Sequence, residues 1–352
     1  MLVYLRRMWP MGLSVALAAG LAWPAVSAQT VPAGTDGVAF AKRQLDLSAT
    51  EAKALAAGQP IAKTLDATSK REMTTAGGIR ITGTSMTQFV DRFKTLEGFK
   101  TSQFVLQIAR FSDDPQRADL DALVVEPRDI DSLRRCRVGA CEVQLAADDI
   151  KRFEKEVSWQ APDASAQAAV LYRSILFSYL QAYRTGGVAK LPPYGDQAQP
   201  VRLAGEIAAL WSARPSLLER APDFDAYLRQ FPAGRLANTL DFYYWSKEEF
   251  GFKPVVGLNH VSVHTTAKGE VALATTQIYA SHYIEGLVQT SLVVPDPPGG
   301  APGYLWLFMN RSRVGPLAGF IGTLSRPIVQ RRARAGLTRS LVQTKQRLEG
   351  RP

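Results

Sequence analysis

Hydrophobic and polar residues near the start of the chain alternate in a way that predicts a strand, a helix and a second strand. Ile79 and Ile81 alternate with polar neighbours, as in a half-buried strand. The next segment places five apolar residues on one helical face: Met86, Phe89, Val90, Phe93 and Leu96. A second alternating run, Phe104, Leu106 and Ile108, completes a predicted strand–helix–strand unit within residues 71–111.

The middle of the chain is predicted to be helical, and the part that follows is predicted to be rich in strands. Residues from about 149 to about 235 contain helical runs rich in Ala, Leu and Tyr, separated by turn-forming segments. From Leu240 onward, β-branched and aromatic residues dominate. Strands are predicted over residues 241–246, 255–264, 271–280, 282–294 and 304–310.

The chain is predicted to end in a long amphipathic helix. Pro327 suits the first helical turn, and Gly350 suits the end of the helix. At about 100° per residue, one face is apolar and consists of Val329, Ala333, Leu337, Leu341 and Leu348. Basic residues cover most of the other face, namely Arg331, Arg332, Arg334, Arg339 and Lys345.

Composition supports an ordinary folded protein with a hydrophobic core. The 352 residues are 46% hydrophobic and 21% charged, which excludes a disordered tail, a collagen and a disulfide miniprotein. Of the net charge of +10, residues 311–352 contribute +9, from ten basic residues and one acidic residue, while Arg6 and Arg7 contribute +2 and the rest of the chain −1. The basic character therefore belongs to the last helix and not to the whole protein.

The first 28 residues have the pattern of a secretory signal peptide. Arg6 and Arg7 precede an apolar stretch over residues 11–22, and small residues lead to a cleavage point near Ala28. This predicts a periplasmic or secreted protein that is soluble after cleavage. Export removes the chain from the cytoplasm, so a nucleic-acid partner is disfavoured. The mature chain then consists of a segment over residues 29–60 with a short helix, and one domain over residues 61–352.

The two cysteines, Cys136 and Cys141, are predicted to form a disulfide. They flank a short turn in which Gly139 permits a positive φ. An oxidising compartment favours a disulfide, and two sulfurs without nearby His or further Cys make a poor zinc site. We therefore expect a structural disulfide, no metal site and no cofactor.

This order of elements resembles the START or Bet v 1-like (SRPBCC) superfamily, which has the helix-grip fold. The features that carry the resemblance are the unit over residues 79–111, the strands from Leu240, and residues 304–313 leading into the terminal helix. The resemblance implies an α+β fold in which a curved antiparallel sheet packs on the long C-terminal helix. The helical block at about residues 149–235 is then an insertion. Most members bind lipids, sterols or other hydrophobic molecules in a cavity, and a minority are enzymes such as cyclases.

Candidate site residues divide into three groups. His260, His264, Tyr243 and Trp306 are candidates for lining a ligand cavity beneath the terminal helix. His282 and Glu285 form a conceivable acid–base pair, with Tyr283 beside them, but His260 and His264 are about 13 Å apart on a strand and cannot share a metal ion. Arg331, Arg332, Arg334, Arg339 and Lys345 are candidates for binding an anionic membrane surface.

Three hypotheses about function follow from these residues. The favoured one is an exported protein that binds a hydrophobic or lipid-like ligand in a cavity under the C-terminal helix, without catalysis. The second is a cyclase- or hydrolase-type enzyme with the same fold. The third is an envelope-surface protein that acts through its basic helix. The chain contains no nucleophile elbow, no phosphate-binding glycine loop and no zinc-protease motif, so no motif favours the enzyme.

Overall fold

The computed structural model describes residues 37–67, 69–94, 104–249, 253–295, 303–317 and 319–350. The helices are α1 (Gly37–Gln44), α2 (Ala49–Ala56), α3 (Met86–Lys94), α4 (Pro127–Arg135), α5 (Ala147–Glu156), α6 (Ala164–Gly186), α7 (Leu203–Ser212), α8 (Pro222–Gln230) and α9 (Gly319–Leu348). The strands are β1 (Ile61–Leu65), β2 (Glu72–Thr82), β3 (Val105–Arg110), β4 (Thr239–Glu248), β5 (Val255–Thr265), β6 (Val271–Ala280), β7 (Ile284–Pro295) and β8 (Gly303–Val314). The predicted signal peptide lies outside the described residues.

The strands form one open antiparallel sheet in the order β1-β2-β8-β7-β6-β5-β4-β3. Strands β4 to β8 are neighbours in sequence and in space, joined by successive hairpins. Strand β2 pairs with β8, so the beginning and the end of the domain lie side by side near the β1 edge of the sheet. The predicted α+β class, with an antiparallel sheet and a C-terminal helix, is confirmed.

The two faces of the sheet carry different layers of helices. Successive side chains of a strand point to opposite faces, so Val261 and Val263 of β5 face one side while His260, Ser262 and His264 face the other. We call the side with Val261 the front face. Helices α3 and α9 cover it, and its core includes Ile79, Phe89, Tyr304, Trp306 and Leu341.

The back face is covered by the remaining helices. Between β3 and β4, short 3-10 turns and helices α4 to α8 occupy residues 117–230, of which the predicted block at about 149–235 covers the later part. Leu176 and Leu180 of α6 pack on Leu258 and Tyr279 of the sheet. Nearer β8, α1, α2, α7 and α8 cover a second apolar cluster around Leu292 and Leu307. The sheet is therefore buried between two helical layers.

Local sequence signals explain several helix ends. Ser48 Oγ accepts from the Glu51 amide at 3.2 Å while Glu51 accepts from the Ser48 amide at 2.8 Å, which is a capping box before α2. The Cys136–Cys141 disulfide after α4 is present, with Cα atoms 4.4 Å apart. Among the described residues, no helix combines the length and the apolar character needed to cross a membrane.

Helix α9 begins at Gly319, eight residues before the predicted start at Pro327. An interior proline removes one helical hydrogen bond and its ring crowds the carbonyl four residues earlier, so a helix continues through proline only where tertiary packing offsets this cost. Helix α9 packs closely against β2 at Gly77. A Cβ atom there would lie 2.3 Å from the Ile61 carbonyl oxygen of β1 and 3.2 Å from carbons of Leu337 and Leu341. Glycine is therefore required mainly by the close approach of β1, and it also leaves room for α9.

Candidate functional site

A cavity of about 230 Å³ lies between the front face of the sheet and α9. Helix α9 contributes Leu337, Ser340, Gln343, Thr344 and Arg347 to its wall. The sheet supplies the opposite wall from β3 to β8, and Phe93 of α3 supplies part of the side. The cavity is therefore formed by the strand–helix–strand unit, the late strands and the terminal helix together.

The wall formed by the sheet is polar in its centre and aromatic at one side. Thr275 of β6 pairs with Gln289 of β7, and Ser291 follows on the same face of β7. Trp306 and Phe308 of β8 continue the wall, with ring centroids 6.5 Å apart. Such a wall can hold an apolar group against the rings and a hydroxyl or carboxylate against the polar side chains.

The sheet separates the four candidates for lining a ligand cavity. Trp306 lines the cavity beneath α9. Tyr243, His260 and His264 occupy back-face positions of β4 and β5, so the sheet lies between them and α9. The cause is the two-residue period of a strand, which puts even-numbered residues of β5 on the back.

His264 packs within the back layer. Its ring stacks on Phe224 with centroids 5.4 Å apart, and its Nδ1 atom is 3.0 Å from Thr239 Oγ1. Burial lowers the pKa of His264, and hydrogen bonds with the backbone of Asn238 and Ala237 oppose this effect only in part. A neutral, stacked histidine of this kind stabilises the packing of α8 on the sheet.

No family model matches this chain, and no curated protein matches it either.

His282, Tyr283 and Glu285 each contact a different group. His282 Nδ1 donates to the carbonyl of Glu142 at 2.8 Å, and its Nε2 atom lies 3.4 Å from Asp129 Oδ1. The Tyr283 hydroxyl accepts from the backbone amide of Lys253 at 3.3 Å. Glu285 forms an ion pair with Arg71. The His282 and Tyr283 rings are 5.6 Å apart, but the hydrogen bonds and ion pairs of His282 and Glu285 go to other residues, so these two do not form the acid–base pair that the enzyme hypothesis requires.

Glu285 belongs to a buried ion network on the back of the sheet. Arg71 also pairs with Glu206 at 2.6 Å, and Arg313 lies 3.2 Å from Glu206 and 3.4 Å from Glu72. Glu72 in turn lies 3.3 Å from Arg311. Burying these charged groups away from water is costly, and burial lowers the pKa of Arg311. The network links β2, α7, β7 and β8, and its role is structural.

The basic side chains of α9 fall into two groups. Arg331, Arg332 and Arg334 are exposed, and Ile328 beside them is 53% exposed. Arg339 is exposed as well and lies over the Phe104 ring at 5.5 Å. Lys345 is half-buried, because its ammonium donates to the Arg80 carbonyl at 2.7 Å and to the Gly58 carbonyl at 3.3 Å. Lys345 therefore anchors the helix to β2 and to the turn after α2.

Sequence reasoning missed the groups that surround His260. Its Nε2 atom lies 2.9 Å from Asp241 Oδ1, and its Nδ1 atom lies 2.9 Å from the Tyr183 hydroxyl. Tyr183 is 77 residues away in the chain. Asp241 and His260 share the back face only because β4 pairs with β5 in this register, so no local pattern indicates their contact. Within the described part of the chain, no group of three or more His, Cys, Asp or Glu residues is placed to hold a metal ion.

Proposed function

We propose that this protein binds a small amphiphilic molecule in the cavity beneath α9. The observation that carries the proposal is the position and lining of this cavity, between the sheet and the terminal helix. The resemblance of the chain to helix-grip proteins, in which this location holds the ligand, supports the same function. We propose binding without catalysis; the charged side chains at the cavity wall are Glu248 and Arg347.

The size of the cavity restricts the ligand class. A volume of about 230 Å³ is equal to that of about eight water molecules at ~30 Å³ each. A medium-chain fatty acid or a small aromatic alcohol has a comparable size, whereas a whole phospholipid or sterol needs α9 to move away from the sheet. The wall carries one charge of each sign, Arg347 and Glu248; Arg347 can pair with an anionic head group, and the Glu248 carboxylate can accept from a hydroxyl.

Filling the cavity is expected to weaken binding strongly. Ser291→Phe adds a ring to a small side chain that lines the cavity, so we expect decanoate to bind at least roughly tenfold more weakly, which corresponds to about 1.4 kcal/mol. Isothermal titration calorimetry with saturated fatty acids from hexanoate to dodecanoate measures this change. Ser165→Phe, at an exposed position of α6 on the other side of the sheet, is the matched control.

A second variant keeps the test decisive if Ser291→Phe folds poorly. Leu337→Ala removes a side chain from the cavity wall, so we expect the preferred fatty acid to become longer. Two outcomes contradict the proposal. One is that none of the fatty acids binds the wild-type protein. The other is that both variants retain the wild-type affinity and chain-length preference.

The exposed arginines of α9 favour a second function, which is binding to an anionic membrane surface. Residues 319–348 contain no Asp or Glu, and Arg331, Arg332 and Arg334 are exposed beside the apolar side chain of Ile328. A surface with positive charge and an apolar side chain is typical of segments that lie on lipid head groups. Binding there brings the cavity, whose wall α9 also forms, close to a source of amphiphiles.

Removing these charges is expected to weaken membrane binding strongly. Each basic residue near an anionic surface contributes about 1 kcal/mol, so changing Arg331, Arg332 and Arg334 to Ala costs about 3 kcal/mol, or roughly a hundredfold in affinity. Co-sedimentation with phosphatidylglycerol–phosphatidylcholine vesicles at two salt concentrations measures the loss. The matched control changes Arg117, Arg137 and Lys151, which are exposed on the other side of the sheet, to Ala. Equal losses in the two triple variants would reject a specific role for α9.

A further inference from the structure

A second cavity, of about 340 Å³, lies on the back of the sheet. Asp241 and Thr239 of β4 form its floor, and Arg184 at the end of α6 and Tyr227 of α8 stand at its sides. Phe231, just after α8, supplies an aromatic wall. The sheet separates this cavity from the one beneath α9, so each can be tested independently of the other.

The carboxylate of Asp241 is held in a fixed orientation at the floor of the second cavity. Its Oδ1 atom accepts from Ser262 Oγ at 2.5 Å and from His260 Nε2 at 2.9 Å. Its Oδ2 atom accepts from the Tyr227 hydroxyl at 2.6 Å. Ser262 and His260 are buried, with 1% and 2% exposure, so they reach Asp241 but not a molecule in the cavity. They act by orienting the carboxylate.

The partners of His260 determine which of its two ring nitrogens carries the hydrogen when the ring is neutral. A carboxylate only accepts, so the hydrogen of a neutral His260 is on Nε2, and Nδ1 accepts from the Tyr183 hydroxyl at 2.9 Å. The His260 ring is also packed against Phe231, with centroids 4.3 Å apart, and against Tyr243, at 5.0 Å. The donor to Asp241 is therefore fixed both by its hydrogen bonds and by its packing.

Asp241 keeps the capacity to bind one more donor. A carboxylate offers about four acceptor positions, and the three contacts from His260, Ser262 and Tyr227 leave one. Its side chain is 26% exposed and lines the cavity. Burial opposes the charge, but the hydrogen bond and the electrostatic attraction from His260, together with the hydrogen bonds from Ser262 and Tyr227, outweigh burial and hold the pKa of Asp241 below its usual value. The floor of the cavity is thus a fixed negative charge.

The sides of the same cavity carry positive charge. Arg184 and Arg235 both line it, and Arg235 is exposed. Arg184 lies 3.5 Å from Asp114, whose side chain is 84% exposed, so this contact is well solvated. A carboxylate and two guanidinium groups therefore face one space, with the Tyr227 and Phe231 rings between them.

We propose that this cavity binds a small zwitterion of the amino-acid type, with its ammonium on Asp241 and its carboxylate on Arg235 and Arg184. A ligand with only negative charge would face Asp241, and one with only positive charge would face two arginines. Only a molecule with both charges satisfies both ends of the cavity. The volume equals about eleven water molecules at ~30 Å³ each, which is enough for a free amino acid whose apolar side chain packs on the rings.

Three related probes test the proposal with the full-length protein. Isothermal titration calorimetry is carried out with L-leucine, with isocaproate, which lacks the amine, and with isoamylamine, which lacks the carboxylate. Leucine is expected to bind, and each analogue is expected to bind at least tenfold more weakly. The proposal is overturned if leucine does not bind, if an analogue binds as tightly as leucine, or if an uncharged sugar such as glucose binds more tightly.

Variants of the two charged ends locate the binding site. Arg235→Gln is expected to weaken leucine binding at least tenfold, and Arg235→Lys is expected to restore part of it because the charge returns. Asp241→Asn is expected to weaken binding by a similar factor, while Asp91→Asn, on α3 at the front of the sheet, leaves it unchanged. Arg235 is exposed, so its variants should fold even if Asp241→Asn does not. Unchanged leucine binding by Arg235→Gln would overturn the proposal.

Discussion

Replacing Glu72 with Ala is expected to lower the free energy of unfolding by about 3–5 kcal/mol. Glu72 is completely buried on β2, and its carboxylate lies 3.3 Å from the guanidinium of Arg311 and 3.4 Å from that of Arg313. Both arginines are also buried. Removing the carboxylate leaves the buried Arg311 without an ion-pair partner among the described residues and leaves Arg313 with Glu206 alone. The effect is large because buried positive charge is no longer neutralised by the Glu72 carboxylate, and not only because one attractive contact is lost.

Chemical denaturation measures the effect of Glu72→Ala. We expect the midpoint to move to a lower denaturant concentration. The slope m of the unfolding free energy against denaturant concentration stays constant if unfolding exposes the same surface area in both proteins. Glu156→Ala is the matched control, because Glu156 pairs with Arg152 on the surface of α5 at 2.8 Å. Surface pairs of this kind contribute little to stability, because water and salt screen the two charges. Equal shifts for the two variants would show that the network containing Glu72 does not stabilise the fold.

The second large effect is expected for Leu341→Ala, at about 2–5 kcal/mol. Leu341 is the fully buried side chain through which α9 packs on Ile79, Tyr304 and Trp306. A cavity at this point cannot close easily, because α9 is also held by Lys345 on the Arg80 carbonyl, 2.7 Å away. The variant therefore loses both the transfer free energy of the removed atoms and the contacts around the space they leave.

The same helix supplies the control for Leu341→Ala. Ile328→Ala changes an apolar side chain that is 53% exposed, so we expect a change within about 0.5 kcal/mol. Thermal and chemical denaturation of both variants separate the packing of α9 from its intrinsic helix propensity. A small effect of Leu341→Ala, similar to that of Ile328→Ala, would mean that α9 is not packed on the sheet as described.

Local patterns predicted most secondary-structure elements correctly. Strand β6 runs from Val271 to Ala280, as the pattern predicted, and β4, β5, β7 and β8 each overlap their predicted ranges. The apolar face of the terminal helix includes the buried Leu341 and Leu348. These predictions succeeded because alternation and helical spacing depend only on residues a few positions apart. The start of α9 was wrong because Pro327 is compatible both with a first turn and with the interior of a helix held by tertiary contacts.

The candidate sites depended on information that local patterns lack. Trp306 was chosen as a cavity residue, and it lines the cavity beneath α9. His260 and Tyr243 were chosen for the same cavity, but they lie beside the second one, across the sheet. Alternation indicates that neighbouring residues of a strand face opposite sides. It does not indicate which side meets the terminal helix, because that depends on how the helices pack.

The sequence by itself determined the kinds of elements, their order, the disulfide and the concentration of positive charge in the last helix. Each of these depends on residues close together in the chain. Only the tertiary structure decided that β2 pairs with β8, that Arg71 meets Glu285 across 214 residues, and that Asp241, His260 and Tyr183 share one hydrogen-bonded cluster. The physical reason is that strand register and helix packing bring distant residues together, and both are set by burial of the whole core rather than by any local segment.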